Sequence, residues 1–497
     1  MRARDRLDGR HRALSQAWQE HSRKAAVLEQ QLASLDRCEE RLPVLRDLRF
    51  AESEMSRLGR ELARLEQEMG EESAPVLPVP PGRKEILETF GGLPESFVVP
   101  GPGNDETKDA GRIDLEIRVQ LKERKGKTAL LYTLSSPIEH LSLHEKEILG
   151  PNLETSPERF RMELIRSLEA LSKKRGPEGE LILREEIEEE LTRLGQSLYL
   201  QLFTEGMRRA YLEYREEVRT VRITSDEPWI PWELVRPFDK KGLDGQPVDD
   251  DFLCARFQLT RWLAASNPPV LRVLVRRLAC IEAGMVTGLP PLAHARNELE
   301  ILQHLAVSHA GVADASLPGA SYGEVQALLE AGRFQLLHVV GHGDFKGRRA
   351  EDAKVVLCDG RAWRAHQLVG PRAASLENDR PFVVFNACRV GQQGWALTGL
   401  GGWAEAWIRN AGAGGFLAPQ WAVPDSLAWR FAETFYDAVS QGHTFGSAVT
   451  QARLRIKALN PANPAWLAYA LYAHPGGRVV WPKSQKPERA VAFPSGP

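Results

Sequence analysis

The chain has 497 residues, 42% hydrophobic and 27% charged, which fits a globular protein of roughly two to four domains. A net charge of −2 gives no reason to expect nucleic acid or an anionic membrane as the main partner. No run reaches the ~18 apolar residues of a membrane span, and the charged opening MRARDRLDGRHRALSQ lacks the apolar centre of a secretory signal. Cys38, Cys254, Cys280, Cys358 and Cys388 are scattered, with neither a disulfide-framework spacing nor a C-x-x-C zinc pair. The expectation is a cytoplasmic protein with reduced thiols.

Residues 1–69 read as a helical, coiled-coil region. Leu48, Ala51, Met55, Leu58, Leu62, Leu65 and Met69 alternate as in a heptad seam, and Leu28, Leu32, Leu35 and Leu42 carry an earlier one. Pro43 separates the two, which predicts a helical hairpin or two short coiled coils, either self-packed or joined to a second copy or a partner. Residues 70–111 are rich in Pro and Gly, lack a period, and read as a linker. Residues 112–267 read as the N-terminal α/β part. There Ile113, Leu115, Ile117, Val119 and Leu121 alternate along a half-buried strand, and TALLYTL returns as a second. The GKT between them is no phosphate loop, because the position that needs the earlier glycine is Leu121. SPERFRMELIRSLEAL opens a helix with Ser and Pro, a further helix covers roughly Glu185 to Tyr214, and EEVRTVRITSDE is a strand. PWIPWELVRP then makes an aromatic-anchored corner, read as packing.

Residues 268–481 change pattern. VLRVLVRRLACIE reads as one strand buried on both faces. LAHARNELEILQHL is a helix, GVADASLPG a short strand, SYGEVQALLEAG a helix and FQLLHVV a strand, the alternation of a doubly wound sheet. KVVLCDGRAWRA reads as a hairpin turning at Asp359 and Gly360, and RPFVVFNAC as another buried strand, with Cys280 and Cys358 in the core. The helix TGLGGWAEAWIRNAG, the strand GGFLAPQWAV and two more amphipathic helices follow. AGAGGF closes a helix and opens a strand, the reverse of a dinucleotide fingerprint. Residues 482–497 read as a disordered tail. The fold class is α/β, a mostly parallel sheet flanked by helices, preceded by the N-terminal helical hairpin or coiled coil and a smaller α/β subdomain.

In open parallel sheets, sites form outside the carboxyl ends of the strands. His342 follows FQLLHVV, and Cys388 follows PFVVFNA. If those strands are neighbours, imidazole and thiol open into one crevice. The histidine then promotes the thiolate and protonates a leaving amine. Gly343 has no Cβ to block a substrate from its N–H, and the Cys388 amide is the second candidate donor to an oxyanion. Taken singly, a strand-end cysteine is more often packing; the matched placement of the two residues favours the pair. His338, deeper on the same strand face, reads as a support residue, while His294 and His366 have no nameable partner.

LLHVVGHGDF, the hairpin around VVLCDG, FVVFNACRVG, AGAGGFLAPQWAVPDSLAWRFAETFYDAVSQGHTFGSAVTQAR and DEPWIPWELV together resemble a CHAT domain, over about Ile113 to Trp481. That is the caspase-like peptidase class in the clan of caspases and separase. The resemblance implies a caspase-like fold with His342 as base, Cys388 as nucleophile, the amides of Gly343 and Cys388 as oxyanion hole, and no metal or organic cofactor. It also implies that the chain after GGFLAPQWAV walls the pocket for the residue preceding the scissile bond. Trp421 would line that wall and Asp425 would select Arg or Lys; taken alone, Asp425 reads first as a helix N-cap. Many members carry repeats of ~34 residues; none is found here, and the N-terminal helices stand in their place.

These readings lead to a cysteine endopeptidase that cleaves a protein substrate. The resemblance implies a role in a bacterial defence or regulated cell-death pathway after activation by a partner, with the N-terminal helices as the place for an activator or for self-association. The alternative is a catalytically silent CHAT-like scaffold or peptide-binding signalling module. A different acyl transfer on the same pair is the third option.

Overall fold

The computed structural model describes residues 111–482, apart from 125–126, most of 154–183, 226–229, 287–288, 290, 345–352 and 388–399, together with scattered positions between 14 and 27. The chain divides into two units, Met1–Val99 and Pro100–Pro497. The heptad seams, the Pro/Gly-rich linker and the tail expectation lie outside the described residues, as does Cys388.

The centre of the larger unit is a thirteen-stranded sheet: β1 (Leu115–Arg124), β2 (Lys127–Ser135), β3 (Lys146–Asn152), β4 (Thr220–Ser225), β5 (Gln258–Trp262), β6 (Arg277–Glu282), β7 (Ala313–Asp314), β8 (Leu336–Asp344), β9 (Lys354–Val356), β10 (Ala362–Arg364), β11 (Phe382–Ala387), β12 (Gly415–Pro419) and β13 (Tyr469–Tyr472). Across the sheet the order is β7, β6, β8, β11, β12, β13, β5, β4, β1, β2, β3, with the β9–β10 hairpin extending the far end of β8. Pairs from β7 to β12 and from β13 to β1 are parallel. The β12–β13 pair and the β1–β2–β3 meander are antiparallel. The outcome is the mixed α/β class with a large, mostly parallel sheet flanked by helices.

Among the described residues, the α-helices of six or more residues are α1 (Arg184–Leu202), α2 (Glu205–Tyr214), α3 (Ala295–Ser308), α4 (Tyr322–Ala331), α5 (Pro371–Glu377), α6 (Leu400–Glu405), α7 (Asp425–Ser440) and α8 (Phe445–Leu459). Alternation along the central strands sends residues to two separate cores. Leu336, Val340, Phe382 and Val384 join the core of α3, α7 and α8, with Leu299, Leu302, Phe431 and Tyr436. Leu337, Val339, Val383 and Phe385 join the core of α4 to α6, with Val325, Leu329, Leu376 and Trp403. Strands buried on both faces are apolar except where a polar side chain finds buried partners: FVVFNA is buried at every position, and its one polar residue, Asn386, is hydrogen-bonded. Local signals set helix ends: Ser321 and Glu324 form a reciprocal capping box at the start of α4, and the chain turns at Gly332 after it.

Three local readings differ from the structure. VLRVLVRRLACIE is not one strand. Arg272–Leu274 pairs with Arg478–Val480 in a separate two-stranded sheet, and the chain enters the main sheet only at Arg277. A distant strand supplied hydrogen-bond partners that the local pattern cannot reveal. The helix expected over Glu185 to Tyr214 is two, broken at Phe203 and Thr204, where Phe203 is buried. Cys358 is exposed instead of core, because β9 ends at Val356 and the turn around Gly360 begins before it.

Among the described residues, no helix is long and apolar enough to cross a membrane, and no group of three or more His, Cys, Asp or Glu is placed to hold a metal. Two tight positions generate tests. At Gly341 a Cβ would stand 2.6 Å from the Ala283 Cβ and 3.3 Å from Val355 Cγ1, so β8 approaches its neighbours too closely for any side chain. Gly341→Ala is expected to lower stability by about 1–3 kcal/mol, read as a lower denaturant midpoint at unchanged slope. His474 is buried, and its Nδ1 accepts the Gly476 N–H at 3.1 Å. Burial and the nearby Arg222 push its imidazole from 6.5 down to about 4, against the pull of Glu116. A depressed folded value means this contribution to stability is present above 6.5 and is lost as pH falls from there through about 4. The melting temperature of the wild type should therefore fall more between about pH 7 and about pH 5 than that of His474→Asn; parallel slopes would refute the assignment.

Candidate active site

β8 and β11 are neighbours. Their parallel register runs from Leu336 opposite Phe382 to Gly341 opposite Ala387. Past Gly341, β8 leaves β11 and pairs antiparallel with β9, setting His342 opposite Val356 and Gly343 opposite Val355. His342 thus stands where the strand exits the sheet, and only 4% of it is exposed. Cys388 follows Ala387 in the chain and, with its amide, lies outside the described residues.

Helices antiparallel to these strands bring their N-termini to the same edge. Asp425 is the first residue of α7; Pro424 holds the cap position and makes no side-chain capping bond. The Asp425 carboxylate accepts the backbone N–H of His294 at 2.9 Å, which ties the start of α7 to the start of α3. Burial pushes this carboxyl above its ordinary value. Backbone hydrogen bonds from His294 and Ala293 and the charges of His294 and His342 pull it the other way. Asp425 is therefore within electrostatic reach of His342. The His294 ring stacks on Trp429 at 4.7 Å and 9°, and Arg430 covers that indole at 3.9 Å. Burial lowers the His294 imidazole, with Asp425 opposing and Arg430 adding to the effect. Trp421 is buried in the same core as Val423 and Leu427, its indole N–H without a hydrogen-bond partner among the described residues. His366 lies in a short turn after β10, on a different element from His342.

Beneath His342 lies a buried polar network of which the sequence pattern pointed only to His338. Glu298 Oε2 accepts the Asn386 amide at 2.7 Å and lies 2.7 Å from His338 Nε2. Asn386 Nδ2 also donates to the Ala428 carbonyl at 2.9 Å, and Tyr469 donates its hydroxyl to Asn386 Oδ1 at 2.8 Å. His338 Nδ1 lies 3.0 Å from the Tyr436 hydroxyl; with Nε2–H on the carboxylate, Nδ1 accepts from it. Burial pushes the Glu298 carboxyl up, and the bonds from His338 and Asn386 oppose that. One signal for Glu298 was legible: it lies four and seven residues before Leu302 and Leu305, on the apolar stripe of α3. A second buried pair joins the aromatic corner to β5, and the same carboxylate reaches the residue that follows β12. Glu233, within PWELV, accepts Arg261 Nε at 2.9 Å and Gln420 Nε2 at 2.7 Å, so the corner carries an ion pair as well as packing.

Two crystal structures of the Saccharomyces cerevisiae separase–securin complex are similar to this chain. For the 3.0 Å structure the TM-score is 0.39 at 11% identity, over 76% of this chain and 31% of that chain. For the 2.6 Å structure it is 0.40 at 10% identity, over 90% and 35%. The chain thus spans about a third of the length of those chains. No curated protein matches it. The model of the CHAT domain matches residues 196–475, a span that is more than half of the sequence and includes β8, β11 and the meeting of α3 with α7. The chain belongs to the CHAT domain family.

Proposed function

We propose that this chain is a cysteine endopeptidase in which Cys388 is the nucleophile and His342 the acid/base. The observation that carries the reading is the β8–β11 register. It ends with Gly341 opposite Ala387, and the next residues in the chain are His342 and Cys388. The last paired residues, on neighbouring strands ~4.8 Å apart, put the exits of the two strands toward His342 and Cys388 at adjacent points of the sheet edge. Membership in the CHAT family supports the same pair.

In the proposed reaction, His342 takes the thiol proton and the thiolate attacks the peptide carbonyl. The amides of Gly343 and Cys388 hold the oxyanion. His342 then protonates the leaving amine, and water attacks the thioester with His342 as base. The N-termini of α3 and α7 add positive potential at this edge, which favours the thiolate. Asp425 selects Arg or Lys before the scissile bond, and Trp421 backs that pocket. The substrate is a protein. An activator acts through the N-terminal helices, and the pathway is one of defence or regulated cell death.

The test is cleavage of a peptide library varied at the residue before the scissile bond. Cys388→Ala and His342→Ala are each expected to lower kcat/KM by at least about a thousandfold, and the double variant no further, because the two residues act as one unit. Asp425→Asn should lose the preference for Arg and Lys while the fold persists. Cleavage that survives Cys388→Ala removes the reading. A scaffold would cleave nothing, with or without residues 1–111, and would bind its partner equally well as Cys388→Ala.

A further inference from the structure

Glu298 is expensive. A carboxylate that is 1% exposed, with Oε1 lacking any hydrogen-bond partner among the described residues, carries a desolvation cost that a leucine there would not. Stability alone does not account for it. Its geometry offers another account. One oxygen, Oε2, engages His338 and Asn386 at the same distance, 2.7 Å. His338 lies on β8, four residues before His342 and on the same strand face. Asn386 lies on β11, two residues before Cys388. The outer partners reach α7 through Tyr436 and Ala428, and β13 through Tyr469. Cys280 of β6 stands in register with His338 and completes the buried surroundings.

We propose that Glu298 is a positioning residue for the catalytic pair: by bonding β8 and β11 through a single oxygen just below their exits, it sets the separation of His342 and Cys388. The proposal rests on the dyad reading above. It assigns Glu298 no contact with substrate. What matters is the acceptor oxygen, not the charge. Glu298→Gln can keep an oxygen toward His338 and Asn386 and turn its amide nitrogen to the unpartnered side, whereas Glu298→Leu removes the tie at similar volume.

The readout is the pH dependence of Cys388 alkylation by iodoacetamide in the full-length chain, followed at the Cys388 peptide by mass spectrometry. This separates Cys388 from the exposed Cys358 and needs neither substrate nor activator. In the wild type the paired thiol should titrate well below the ordinary ~8.5, and His342→Ala should raise it. Glu298→Leu should raise it by at least about one pH unit, and Glu298→Gln should leave it within about half a unit. If Glu298→Leu fails to fold by thermal melting, Asn386→Ser, which removes the β11 arm together with its bonds to Ala428 and Tyr469 and leaves the His338 arm in place, is used with the same expectation. Where peptide cleavage is measurable, kcat should fall by about ten- to a hundredfold in the untied variants with KM nearly unchanged. A wild-type profile in a folded Glu298→Leu or Asn386→Ser protein overturns the proposal, as does a Glu298→Gln variant as impaired as Glu298→Leu. Coincident profiles for wild type and His342→Ala would instead overturn the dyad reading, and this inference with it.

Discussion

The parallel pairing of Leu336–Gly341 with Phe382–Ala387, in the middle of a sheet covered on both faces, is the constraint on which the rest of the larger unit depends. Central parallel strands satisfy their backbone groups from both neighbours and leave no polar edge. Their side chains are then apolar on both faces except at His338 and Asn386, whose polar groups are bonded to Glu298. Polar chemistry is pushed to the one place where the ladder stops, the carboxyl ends. The crossover helices run back against the strands, so their N-termini gather at that same edge. Asp425 holding the amide of His294 is the local expression of this geometry: two helix starts, far apart in sequence, are bound to each other beside His342.

Two buried carboxylates serve the same end inside the apolar layers. Glu298 joins α3 to β8 and β11, and Glu233 joins the PWELV corner to Arg261 on β5 and to Gln420 beside Trp421. Each links segments that the chain places far apart. A hydrophobic contact is non-directional and tolerates sliding; a carboxylate between two donors does not. The aromatic layers around them do the complementary task of filling space, as where Phe431 stacks on Tyr469 at 3.5 Å and 4° and Phe382 on Phe445 at 4.1 Å. Packing supplies the bulk of the stability, and the polar ties add directional bonds within it.

Periodicity made the α/β class legible, since strands buried on both faces and helices buried on one leave different repeats in the sequence. It also placed His342 at a strand end, and it placed His338 deeper on the same face. The differences fall where a distant partner or a tight turn overrides the apolar pattern. VLRVLVRRLACIE looks continuous, yet Arg272–Leu274 is drawn off by Arg478–Val480. Cys358 looks like a core residue in an apolar run, yet the hairpin turns before it. His294 looked partnerless because its partners, Asp425 and Trp429, lie more than a hundred residues away.

Sequence alone determined the class of fold, the strand ends that carry His342 and precede Cys388, and a resemblance specific enough to name the family. It could do so because amphipathic period, turn residues and short motifs are local, and local pattern is what a sequence writes directly. Which strands lie side by side, which helix starts meet, and which buried donors face Glu298 were decided only by the tertiary structure. Those relations join residues 40 to 187 positions apart, through directional bonds that no spacing along the chain encodes.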